Sequence, residues 1–370
     1  MKKTLILWCL SFFVSVAFFI ASGAIIYNFS ASYTPDPTQL TKQKEIYDYL
    51  EENWHINKYV KDPDILVPTG LFVKSLYFIS SYNVHISGFV WQKYDKNSMH
   101  IENKNIIFPE GVEIKLVETY RRMVDDVLTI GWHFEGQFIQ NFDYFDFPMD
   151  NKVAWLRMWH ADFDKNVILT PDLSAYDSTI STKKFGIDPE IVLSGYTILE
   201  TFFNYKKSNY DTNFGVKNYI GEKGFPELYY NVVLKRNMVN SAIVYFLPIM
   251  TAIIMMFFSV LLMTIVSGRL IFLGYNLMNL LTLAAFLLFV VVLSHTQLRS
   301  QVTSEKIMYL EYIYMIVYGA IVYIIIVAFL IDKSGKHPNS KIAAHDGLWV
   351  KLTFLPLVAL SSFLATYFSF

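Results

Sequence analysis

The spacing of apolar and polar positions changes character three times along the chain. Thr4 to Pro35 carries no charge, and Leu5 to Tyr27 is apolar enough and long enough to cross a bilayer. From Ile65 to Arg236 the pattern is instead one of short runs rich in Val, Ile, Phe, Tyr and Trp, separated by polar turns. Examples are NVHISGFVWQKY, VLTIGWHFEGQFI, KVAWLRMWH and ELYYNVVLKR. Within the first of these Val84, Ile86 and Val90 fall on one face, His85 and Ser87 on the other, and Phe89 breaks the alternation. Runs of this kind with no helices between them predict about eight to ten strands in an antiparallel sandwich or barrel. After Asn240 the pattern becomes four long apolar segments, at about 241–264, 272–297, 308–331 and 348–370, each of membrane-spanning length.

Two stretches join these regimes. Residues 36–62 open with Pro-containing turns, and TQLTKQKEIYDYLEENW then reads as a short amphipathic helix capped by Thr38 or Thr41. From Pro226 to Met263 a strand (Glu227 to Leu234) and a basic pair (Lys235, Arg236) run without a linker into the first long apolar segment. Movement in the β-rich region is therefore expected to be felt by the membrane region. The expected domains are 1–35, a signal anchor or signal peptide; 36–239, an exported β-rich domain; and 240–370, a four-helix transmembrane domain.

Composition supports a membrane protein with a large water-soluble part: 54% hydrophobic, 17% charged, mean hydropathy +0.33. The net charge of −1 hides an asymmetry, because residues 36–239 carry 28 acids against 22 bases. An acidic exported domain argues against a nucleic-acid partner. The single cysteine, Cys9, excludes an intrachain disulfide and a multi-cysteine zinc site. The basic tip Met1–Lys3 predicts an exported region after about residue 30, whether the first segment is kept as an anchor or cleaved near Ala21–Ala24 or Ser30–Ser32. The basic loops around Arg269 and at 332–347 (Lys333, Lys336, Lys341) belong in the cytoplasm. That places the β-rich region, the loop 298–306 and the C-terminus outside.

In this order the residues resemble the pentameric ligand-gated ion channel (Cys-loop receptor) superfamily, in its prokaryotic form lacking the loop cysteines. The likeness covers roughly residues 40–370. Phe147-Pro148-Met149-Asp150 after the strand ending FIQNFDYFD looks like the FPxD of the family's signature loop, with Ala154 near where a cysteine would fall. LYYNVVLKR looks like the pre-membrane strand and its terminal arginine, and Pro248 matches a proline of the first channel helix. The resemblance implies an immunoglobulin-like β-sandwich followed by a four-helix bundle, a homopentamer in a prokaryotic inner membrane, a small-molecule ligand of unknown identity and permeating ions. It implies no cofactor.

Specific roles follow from this likeness. At about 100° per residue Asn276, Asn279, Leu283, Phe286, Val290, Ser294 and Gln297 share an arc of about 80°, polar at both ends and apolar between. Around an axis that arc would line a pore with a dewetting constriction. Its bland reading is a helix whose few polar residues bond to neighbours. No Asp or Glu lies between Glu227 and Glu305, which leans away from a cation filter; Arg269 reads equally as a snorkelling anchor. Asp150 and Arg236, with Phe147 and Pro148, are the coupling candidates. Trp91, Phe108, Trp159, Phe214 and Tyr219 are counterparts of the family's aromatic ligand segments, at interfaces between subunits, although buried packing accounts better for any one of them. His295 and Glu305 flank the outer end of the second channel helix, where protonation could bias gating. No catalytic set emerges, and His160 near Asp162 and Asp164 is too generic for a metal site. The alternatives are a non-conducting membrane receptor and, with little support, a membrane enzyme.

Overall fold

The computed structural model describes residues 2–54, 65–162, 167–215, 226–266, 269–272, 277–304, 306–334 and 347–370. They form two compact units. One comprises Thr34–Phe142 with Asn151–Arg236, the other Met1–Tyr33, Asp143–Asp150 and Asn237–Phe370.

The first unit is β-rich. Its strands are β1 (Ile65–Phe78), β2 (Asn83–Tyr94), β3 (Ile106–Ile107), β4 (Gly111–Val124), β5 (Val127–Ile139), β6 (Asn151–His160), β7 (Val167–Pro171), β8 (Tyr196–Lys207) and β9 (Pro226–Arg236). They form a five-stranded sheet in the order β4-β5-β2-β1-β7 and a four-stranded sheet in the order β3-β6-β9-β8. Pairing is antiparallel except between β1 and β7. The period-two pattern explains β2, where every second residue from Val84 to Tyr94 is buried. Phe89 lies on the more open face, edge-on to the His133 ring at 5.2 Å. The sheets meet through side chains: Phe78 of β1 packs on Tyr196 of β8 at 4.9 Å, and Tyr94 of β2 bonds His160 of β6.

A short helix, α2 (Gln43–Trp54), buries Ile46 and Leu50. Neither threonine caps it as expected. Thr38 bonds Asp36, and the first amides are satisfied by Glu45, whose carboxylate reaches back to the N–H groups of Thr41 and Lys42 at 3.0 and 3.1 Å. This is the return half of a capping box.

The second unit contains five helices long and apolar enough to cross a membrane: α1 (Lys2–Ala31), the span Met238–Leu261, α5 (Leu277–Gln301), α6 (Tyr309–Ser334) and α7 (Leu348–Ser369). The second span has three parts: α3 (Met238–Ser241), a π-helical stretch Ala242–Phe246, and α4 (Leu247–Leu261). Pro248 lies inside this continuous span directly after the π-helical stretch, whose wide turn accommodates the ring and the missing N–H. Helix α1 lies along α7, with Ser11 donating to the Leu352 carbonyl at 2.6 Å and ring contacts Phe18–Phe363 and Phe29–Phe370.

The boundary between the first two apolar segments after the β-rich region differs from expectation. Met263–Val266 (β10) pairs antiparallel with Arg269–Phe272 (β11), and α5 begins only at Leu277. Apolar content does not separate strand from helix, and Thr264, Ile265, Val266 and Ile271 are β-branched residues that favour the strand.

Candidate functional site

One face of the four-stranded sheet collects aromatic and charged groups. Arg157 pairs with Tyr229 and Lys206 with Glu227, so Trp155, Arg157 and Trp159 of β6 share a face with Glu227, Tyr229 and Lys206. Glu227, 3% exposed, is the centre. It accepts hydrogen bonds from Trp159 Nε1 (2.7 Å), the Tyr210 hydroxyl (2.6 Å), Arg157 Nη1 (3.1 Å) and Ser208. The other Arg157 nitrogen, Nη2, bonds Glu110. Tyr210 and Phe214 stand edge-on to Trp159 at 5.7 and 6.5 Å.

The charges divide unequally. Burial works against the Arg157 charge, but Glu227, Tyr229 and Glu110 outweigh it and hold the guanidinium above the ordinary arginine range. Burial raises the Glu110 carboxyl despite the opposing Arg157. Tyr229 is pushed up to about 12, chiefly by burial. Arg157 is thus shared between Glu227 and Glu110. A pH dependence follows. A carboxyl raised on folding adds stability that is full below its unfolded value, about 4.3, and is lost as pH rises through the folded value. The stability difference between the wild type and Glu110→Gln, read from denaturant midpoints, should therefore fall from pH 4 towards neutrality. A flat difference would show that Arg157 cancels the burial.

The expected aromatics separate into groups. Trp159 and Phe214 come together at Glu227. Trp91 lies on the other sheet, its Nε1 donating to Asp172 (2.9 Å), which also pairs with Lys93 (2.8 Å). Gly70, opposite on β1, makes room for that indole, because a Cβ there would come within 2.1 Å of the ring. Phe108 is a core side chain, 6% exposed, packed on Phe134 and Phe138 at 5.0 and 5.7 Å. Tyr219 lies outside the described residues, as do Asn276, Glu305 and Asp164. His160 is buried: its Nδ1 accepts the Asp162 N–H at 3.0 Å, and its Nε2 meets the Tyr94 hydroxyl at 3.1 Å. That hydroxyl donates to Gln92, so His160 belongs to a buried link between β2 and β6. Among the described residues no group of three His, Cys, Asp or Glu could hold a metal.

The segment 143–150 belongs to the helical unit although β5 and β6 flank it. Phe147 is fully buried with its ring edge-on to Tyr245 at 5.1 Å. The Phe145 carbonyl accepts the N–H of Tyr309, first residue of α6, at 2.8 Å. Pro148 follows a cis peptide bond, and Asp150 is 5% exposed. Arg236 belongs to the β-rich unit, its guanidinium 4.7 Å over the Tyr196 ring.

Beside this segment a carboxylate missed in the sequence reading organises the start of α6. Glu311, 3% exposed, takes Arg299 Nε and Nη2 (2.5 and 2.9 Å), His295 Nε2 (3.1 Å) and the Met308 N–H (2.8 Å). His295 stacks on Tyr314 at 4.9 Å and its other nitrogen meets the Tyr318 hydroxyl. The signal was available: an acid inside an apolar segment is functional or paired. The separation of 12 positions between Arg299 and Glu311, however, leaves no short-range pattern.

Helix α5 buries one stripe: Leu280, Ala284, Leu287, Val291 and Leu298. The expected pore arc lies roughly a quarter-turn from that stripe at about 100° per residue. Asn279, Phe286 and Gln297 are exposed. Leu283 lines a small void with Met256, Ser259 and Ile321, and Ser294 shares a hydrogen bond with Tyr314 at 2.7 Å. The face most remote from the stripe carries Thr282, Phe289, Leu293, Thr296 and Ser300.

No protein-family profile matches the chain, and no curated protein matches it.

Proposed function

We propose that the chain is one subunit of a homopentameric ligand-gated ion channel of a prokaryotic inner membrane. In this reading the β-rich unit is an immunoglobulin-like sandwich on the periplasmic or extracellular side. Helices α3–α4, α5, α6 and α7 form the channel bundle, and α1 is an additional membrane helix. Ligand sites lie between subunits, the Glu227 face supplying one wall and the Trp91–Asp172 region of a neighbour the other. Ligand binding shifts a closed–open equilibrium through unequal affinity for the two states.

The observation that carries the reading is the FPMD segment. Two β-strands of one unit are joined through residues that fold as part of the other, with Phe147 on Tyr245 and Phe145 bonded to the first residue of α6. A connection of this kind makes a displacement of β5 and β6 a force on the helices. A freely hinged receptor would not need it.

Exposure on α5 sharpens the pore assignment. A helix in a ring turns towards the axis a face that its own subunit leaves open, which here runs from Asn279 and Thr282 through Phe286, Phe289 and Leu293 to Thr296 and Gln297. The constriction is then Phe286, Phe289 and Leu293, with Leu283 turned away. Native mass in nanodiscs should give five copies. In ion-flux assays on liposomes, Phe286→Ser and Phe289→Ser should create a standing leak by wetting the constriction, whereas Leu283→Ser should not. Fewer copies with no leak from any variant would leave the non-conducting receptor, which the apolar character of α5 favours.

A further inference from the structure

We infer that Lys206 is a built-in occupant of the aromatic face and sets its selectivity against free organic cations. The inference rests on the reading of that face as a ligand site. The Lys206 ammonium lies 4.7 Å from the Tyr229 ring centroid and 5.9 Å from that of Trp155. These are distances at which an aromatic quadrupole holds a cation. The register makes the placement systematic, since Lys206 of β8 faces Glu227 of β9 and Asn204 faces Tyr229, so the lysine stem projects over the neighbouring strand's ring.

A second cation on this face behaves differently. Arg157 lies 5.4 Å from the Trp159 centroid, but it is held by two carboxylates, Glu110 and Glu227. Lys206 forms no close ion pair among the described residues; it touches the two rings, and the Asp36 carboxylate acts on its charge from farther off. Its side chain is exposed and free to swing into water. An incoming quaternary or primary ammonium would need the same ring surface and would have to displace the lysine. The chain thereby raises the threshold for any ligand whose recognition is cation–π alone, and favours one that adds contacts elsewhere on the face.

The test is a tetramethylammonium titration of the full chain in nanodiscs, read by tryptophan fluorescence, with wild type, Lys206→Gln and Lys206→Arg. The glutamine variant keeps a polar side chain one atom shorter and without the charge, and should bind about two- to fivefold more tightly, the size of one exposed cation–π contact. The arginine variant should match the wild type. In parallel, amine acylation followed by mass spectrometry should show Lys206 labelling rising with tetramethylammonium while Lys207 labelling stays constant. Equal affinity of wild type and Lys206→Gln, or unchanged Lys206 labelling under bound probe, overturns the role of Lys206 and leaves the ligand face standing. Absence of binding to all three proteins overturns both.

Discussion

Arg299→Ala is expected to destabilise the helical unit by about 3–5 kcal/mol, the cost of removing one partner from a buried ion pair. The Glu311 carboxylate is 3% exposed, so its charge has no recourse to water once the guanidinium is gone. Two of its hydrogen bonds come from Arg299 in a forked arrangement, which is stronger and more directional than a point contact. His295 and the Met308 N–H remain, but both already bond the carboxylate. The converse change, Glu311→Gln, should cost less, about 1–3 kcal/mol, because Arg299 is 38% exposed on its side chain and can turn to solvent. The asymmetry is the diagnostic. Denaturant unfolding in detergent micelles should rank Arg299→Ala well below Glu311→Gln. Equal effects under about 1 kcal/mol would mean a solvent-screened pair of little worth. Because the Phe145 carbonyl binds the Tyr309 N–H two residues before Glu311, loosening this node should also loosen segment 143–150. Faster amide exchange there is the accompanying observable.

What could be read from the sequence follows from how local each signal is. Strand β2 is legible because its burial alternates residue by residue, and the membrane spans are legible because length and apolar content suffice. The β10–β11 pairing was not legible, because Arg269 marks a break between apolar segments but MTIV and LIF are as apolar as the helices on either side. On the candidate site, Trp159 and Phe214 were anticipated as aromatics. Their organiser, Glu227, was seen only as the first residue of a strand. Its partners Arg157 and Tyr210 lie 70 and 17 residues away, and only the pairing of β6 with β9 brings the arginine to it. On α5 the periodicity was right and the direction was not determined. A helical wheel gives relative angles, whereas the buried stripe at Leu280, Ala284 and Leu287 depends on which neighbours pack against it.

Glu227→Ala is expected to cost about 3–5 kcal/mol of the β-rich unit's stability and to abolish the binding proposed for its aromatic face. The carboxylate is the common acceptor for Trp159, Tyr210, Ser208 and Arg157, and alanine leaves each of these half-buried donors without it. Arg157, with a side chain only 18% exposed, would keep Glu110 alone, and burial biases that carboxyl towards its neutral form. The guanidinium would then be an undercompensated charge against the Trp159 ring. Much of the loss should be the stranded charge rather than the missing contacts, and the two are separable. If so, Arg157→Met combined with Glu227→Leu should recover part of the stability lost in Glu227→Ala, since apolar replacement of a whole buried ion pair is commonly near neutral. It should not recover ligand binding, because Trp159 and Tyr210 lose the acceptor that orients them. Denaturant midpoints and tryptophan fluorescence on the same samples distinguish these outcomes. A double variant less stable than Glu227→Ala alone would mean that the hydrogen bonds to Glu227, not the balance of its charge with Arg157, hold this face together.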